Sequence, residues 1–145
     1  MSLSYKSHVV LPIFGTKTVA GVPTSVALTS AYTGNNKAIS TGGMSKLNLD
    51  ILYTMGATET TNSIEVQIEC SNDGVNYFRI PNESASGGVS TLTAREFTFV
   101  GTNAAAATIS IGIDIFYKFM KISIKESGVV TNAGTVFAEA TLSGK

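Results

Sequence analysis

IEVQIECSNDGVNYFRI, residues 64–80, is the stretch whose reading decides the fold. Ile64, Val66, Ile68 and Cys70 alternate with Glu65, Gln67 and Glu69. A period of two marks a strand with one dry face and one wet face. Ser71-Asn72-Asp73-Gly74 then predicts a tight turn, because Gly74 tolerates positive φ and Asn72 and Asp73 can bond their own backbone. Val75-Asn76-Tyr77-Phe78 begins the return strand. A hairpin of this kind predicts an all-β, antiparallel protein and carries no chemistry of its own.

Outward from the hairpin, the same period recurs. Leu47, Leu49, Ile51 and Tyr53 share one face against Lys46, Asn48 and Asp50, with Leu52 as an apolar intruder on the polar side. Ile109, Ile111, Ile113 and Ile115 alternate with Thr108, Ser110, Gly112 and Asp114. Met120, Ile122 and Ile124 point one way, and Lys121, Ser123 and Lys125 the other. Val136, Ala138, Ala140 and Leu142 oppose Phe137, Glu139 and Thr141. Residues 91–100 read as one strand with Phe97 and Phe99 on a face. Residues 18–31 read as a bent or interrupted strand, since Gly21 and Pro23 lie inside them.

Residues 33–43 and 81–90 have loop composition, and the alanine run 104–107 is read as a loop. The expectation is a single-domain antiparallel β-sandwich, jelly-roll-like, of about eight strands. Residues 16–145 form its body. Residues 1–15 are an N-terminal arm or an edge strand, with Pro12 tolerable at an edge.

The 145 residues suffice for one domain with a core of its own. Ten Lys and Arg balance ten Asp and Glu, so nothing draws the chain to nucleic acid, which demands clustered cations. Only 14% of residues are charged. Such a surface is kept soluble by Ser, Thr and Asn or is covered by partner subunits. No segment is long and apolar enough for a spanning helix, and residues 1–8 lack the basic-then-apolar plan of a signal peptide. No membrane partner and no export leader are therefore expected.

Catalytic and metal-binding residues are not apparent. His8 is the only histidine and sits near the chain end, a poor place for a triad member. With one His and one Cys, a single chain cannot build the usual zinc ligand set. Cys70, on the apolar side of its strand, reads as a small buried hydrophobe. Glu65 and Glu69 share a strand face, but their Cα atoms lie about 13 Å apart at ~3.3 Å per residue, too far for a glycosidase pair. Asp73 with Asn72 and Asn76 offers oxygens to calcium, yet a turn already accounts for them. No cofactor, no metal and no enzyme activity are expected. Residues 9–14 are a short apolar run, and Val9, Val10, Leu11, Ile13 and Phe14 are the candidate interaction residues. They would act by adding a strand to a partner's sheet, or would form an ordinary first strand.

Two segments carry a resemblance. Ser71-Asn72-Asp73-Gly74-Val75-Asn76-Tyr77-Phe78 resembles the S-x-D-G-x-x-W/F hairpin of discoidin-like sandwiches and of many small phage virion proteins. Residues 117–125, YKFMKISIK, followed by Gly134-Thr135-Val136, are similar to the paired last strands of those proteins. In texture the chain resembles phage head decoration and auxiliary capsid proteins. That resemblance implies a non-enzymatic virion protein, assembled in the host cytoplasm, that stabilises a capsid. Its implied partners are itself, as a homotrimer, and the major capsid protein or another virion protein. The discoidin-like alternative implies carbohydrate binding through a tyrosine-lined groove. Tyr77-Phe78 in place of Trp, and the impossibility of a disulfide with one cysteine, depart from that pattern.

Overall fold

The computed structural model describes residues 8–101, 106–129 and 131–144. Fourteen strands run through them. They are β1 (His8–Phe14), β2 (Thr16–Lys17), β3 (Pro23–Thr24), β4 (Val26–Ala27), β5 (Asn36–Ser40), β6 (Lys46–Thr54) and β7 (Ser63–Ser71). The others are β8 (Phe78–Arg79), β9 (Pro81–Ser86), β10 (Val89–Ala94), β11 (Glu96–Val100), β12 (Ala106–Asp114), β13 (Phe119–Ser127) and β14 (Thr135–Ser143).

Two sheets form the body. One runs β1-β14-β6-β12, with β4 also on β14; the other runs β11-β7-β13-β5, with β8 also on β7. All pairings are antiparallel. Eight strands carry these paths: β1, β5, β6, β7, β11, β12, β13 and β14. Each sheet alternates early and late strands, so β14 lies between β1 and β6. That is the double-sheet jelly roll the sequence predicts.

Alternation explains the packing. Leu47, Leu49, Ile51 and Tyr53 from β6 meet Ile64, Val66 and Ile68 from β7, Met120, Ile122 and Ile124 from β13, and Val136, Ala138, Ala140 and Leu142 from β14 in one core. Each fully buried aliphatic side chain contributes about 1.5–3 kcal/mol relative to exposure. Leu52 and Phe137 point from the opposite face, where they are cross-strand partners. The β2–β3 ribbon comes close to them: Lys17 sets its ammonium 5.6 Å from the centre of the Phe137 ring and 2.7 Å from Glu139 Oε1. Phe137 is thereby buried although it faces away from the core.

Several local expectations are corrected. The segment read as a 33–43 loop contains β5, whose one buried apolar residue, Ile39, is too little to show a period. Residues 81–90 are not a loop: β9 and β10 make a regular hairpin around Gly87-Gly88. The expected strand 91–100 is two strands, broken at Arg95. Ala106 and Ala107 open β12; Ala104 and Ala105 lie outside the described residues. The tight turn after Cys70 is wider than expected, because Cys70 pairs with Phe78 and the return strand is only β8.

Candidate docking surfaces

The Asp73 loop is built by one carboxylate. Asp73 Oδ1 accepts from the Val75 and Asn76 amides, both at 2.8 Å, and from Ser71 Oγ at 2.9 Å. Oδ2 accepts from Asn76 Nδ2 at 2.8 Å. Ser71 Oγ in turn accepts from the Gly74 amide at 2.9 Å. The backbone bonds to Val75 and Asn76 hold the carboxyl well below the usual carboxylate range. Asn72 Oδ1 accepts from the Lys118 amide at 3.4 Å, tying the loop to the approach of β13. Both Asp73 oxygens and Asn72 Oδ1 are thus spent on the turn and its anchor, and no cluster of three His, Cys, Asp or Glu that could hold a metal occurs among the described residues.

Glu65 and Glu69 are likewise engaged. Lys125 Nζ lies 2.9 Å from Glu65 Oε2, and Lys121 Nζ lies 2.8 Å from Glu69 Oε2, each across the β7–β13 pair. Hydrogen bonds from Lys125, then from Ser127, favour the ionised form and hold the pKa of the Glu65 carboxyl below its ordinary value. Tyr32 and Tyr77 lie against the same two lysines, with ammonium-to-ring distances of 4.8 and 4.7 Å. This sheet face is a set of internally satisfied charges with two rings already occupied. Cys70 is buried and donates to the Phe78 carbonyl at 3.4 Å.

The N-terminal candidates separate into two groups. His8–Phe14 pairs with β14 as an outer strand, with a register shift between Pro12 and Phe14. Ile13 and Phe14, 5% and 7% exposed, belong to the core. Leu11 packs against it. Val9 and Val10, 37% and 56% exposed, are open to solvent.

Sequence reasoning missed the most prominent surface element, the β9–β10 ribbon. Every residue of both strands is exposed, so the ribbon projects from the body. Gly87 and Gly88, at φ 59° and 77°, form its two-residue tip, the type I′ geometry that matches strand twist. The base is clamped: the Arg95 amide donates to the Ile80 carbonyl at 2.8 Å, and Arg79 Nη2 reaches Glu96 Oε1 at 3.0 Å. The glycine pair was the signal that could have found it.

The outermost strands also differ in how they are protected. Near β1 stand Pro12 and the register shift. β5 is five residues long and carries Lys37; β11 is five residues long and carries the ion-paired Glu96. β12 has nine residues, an unbroken register on β6, no Pro, no Lys and a single charge at its end, Asp114. Natural sheets blunt their edges with such devices, and β12 lacks them.

No family model and no curated protein matches the chain. Among solved structures, the SPBc2 prophage-derived protein YomS is similar over 99% of both chains, with a TM-score of 0.52 and 9% identity. A chain of the T13 particle of IBDV is similar with a TM-score of 0.55 and 7% identity, over 96% of this chain and 31% of that one. This chain therefore spans about a third of that viral protein. At these identities the likeness is one of fold: a jelly-roll sandwich present in a prophage-derived protein and within a viral-particle protein.

Proposed function

We propose that this chain is a non-enzymatic structural protein of a phage virion, a decoration protein that binds the head surface and stabilises it. The observation that carries the reading is the pair of exposed valines, Val9 and Val10, on an outer strand of a jelly roll. A whole-length fold likeness to a prophage-derived protein supports it, as does a chain with no net charge. Val9 and Val10 contact the major capsid protein or another virion protein, and three copies assemble about each attachment point. Rigid strands hold the contact residues without an ordering cost at binding.

The test is sedimentation of the purified protein with heads that lack it. Val9→Asp with Val10→Asp should abolish co-sedimentation while the melting temperature stays within a few degrees. Unchanged binding by this variant rules out the valine contact, and no binding by the parent protein rules out the decoration role. Removing residues 2–14 is not a clean test, because Ile13 and Phe14 would be taken from the core.

A further inference from the structure

The β9–β10 ribbon and the β12 edge are two incomplete β elements on one chain. Two-stranded ribbons alone in water are marginal, and every residue of this one is solvent-exposed. On its side away from β6, the nine-residue β12 pairs with no strand among the described residues and carries no blocking device. One interaction with a second copy of this chain would complete both.

We infer that β10 of one copy adds to the free edge of β12 in the next copy, making a head-to-tail contact between subunits. β10 is the docking strand of the ribbon. Val89–Ala94 reads VSTLTA, with no charge and no proline, whereas Pro81–Ser86 carries Pro81, which cannot donate, and Glu83. The outward side chains of β12 are small or mid-sized: Ala106, Thr108, Ser110 and Gly112, ahead of Asp114. A Cβ placed on Gly112 meets nothing within 4 Å, so the outward face beside this edge is open at that position. Strand addition of this kind takes its affinity from main-chain hydrogen bonds. Because donor and acceptor are different surfaces, the contact is heterologous, and it closes as a ring or continues as a filament. The inference does not depend on the virion reading.

Two variants test it. In the first, residues 81–94 are replaced by Asn-Gly, which joins Ile80 to Arg95 where their backbones already bond. A companion, Thr91→Lys with Thr93→Lys, keeps the ribbon length and charges it, so a folding defect in the deletion does not end the test. In the second, Thr108→Lys with Gly112→Lys charges the β12 edge. Light scattering on a sizing column should show the parent as an oligomer of its 15.1 kDa chain and each variant as a monomer of its own chain mass. An equimolar mixture of a ribbon variant and the edge variant should form a one-to-one complex with the summed mass of the two chains and nothing larger, because only one donor and one acceptor survive. A parent that stays monomeric overturns the inference. So does a ribbon variant that keeps the parent's oligomeric mass, which would assign assembly to β12 against β12 or to another surface. A mixture that stays monomeric overturns it as well.

Discussion

Tyr53 of β6 donates a 2.6 Å hydrogen bond to Glu126 of β13, so a phenol from one sheet and a carboxylate from the other meet inside the sandwich. Glu126 is only 2% exposed. Its Oε1 also accepts from Asn62 Nδ2 at 3.2 Å, and its Oε2 accepts from the Gly134 amide at 2.7 Å. A buried carboxylate without a cation is tolerable only when donors surround it. The arrangement ties the sheets at a fixed relative register, which an apolar contact alone does not specify.

Glu126→Ala strands three donors at once and should destabilise the fold by about 3 kcal/mol or more, given ~1–3 kcal/mol for each unsatisfied buried group. Tyr53→Phe removes one donor and should cost about 1–2 kcal/mol. The double variant should cost less than the sum, since both changes act on one network. Urea unfolding of the four proteins measures all three quantities.

Backbone crowding at the same place gives a second prediction. A Cβ on Gly134 would lie 2.5 Å from the Thr54 carbonyl and 2.8 Å from Glu126 Oε1. Gly134→Ala must push the β14 entry away from β6 and weaken the amide bond to Glu126. We expect a loss of about 2–3 kcal/mol, in the range of steric and buried polar defects. A melting temperature equal to the parent's would contradict it.

Alkaline pH should destabilise the protein through two tyrosines. Burial, followed by the Glu96 and Glu65 charges, pushes Tyr32 up to about 12. Burial and the bond to Glu126 raise Tyr53 further. The unfolded phenols ionise near their ordinary value of 10 while the folded ones keep their protons. Their stabilising effect is therefore complete below pH 10 and is lost as pH rises towards the folded values. Absorbance titration of the phenolates should show at least two tyrosines that do not ionise by pH 11 in the native protein, together with a melting temperature that falls above pH 10.

Acid acts on a different group. Asp73 is held below its ordinary value by the Val75 and Asn76 amides. Its contribution is present above the ordinary carboxylate range and is lost only as pH falls through the depressed folded value. The Asp73 carboxyl resonance should stay ionised at pH 3, where exposed carboxylates have titrated. Asp73→Ala should free residues 72–77 for rapid amide exchange while the core amides keep their protection.

Charge pairs on the outer face should matter little. The Lys125–Glu65 and Lys121–Glu69 pairs are partly exposed. Lys125→Met should change stability by about 0.5–1 kcal/mol at most, with the difference shrinking in 1 M salt.

Legibility in the sequence followed burial contrast. The runs ending in Tyr53, Cys70, Ile124 and Leu142 could be read because their inward and outward residues differ in polarity. β9 and β10 could not, because no residue of either is buried and their order comes from a glycine turn and cross-strand bonds. Glu126 was hidden for the opposite reason. It stands in the inward series after Met120, Ile122 and Ile124, where a carboxylate reads as the end of the pattern. Only its partners, distant in sequence at Tyr53 and Asn62, make the position intelligible. The Val9–Phe14 run was visible as apolar, but its division between core and surface depends on pairing with β14.

The pairing of lysines with glutamates leaves the β7–β13 face electrically quiet. The chain as a whole carries no net charge to draw it to a partner from afar or to repel a neighbouring copy. Encounter rates should accordingly sit near the unsteered 10⁵–10⁶ M⁻¹s⁻¹ and vary little with ionic strength. If the chain coats a particle as proposed, crowding of copies on that support, rather than attraction from afar, sets how fast the layer fills.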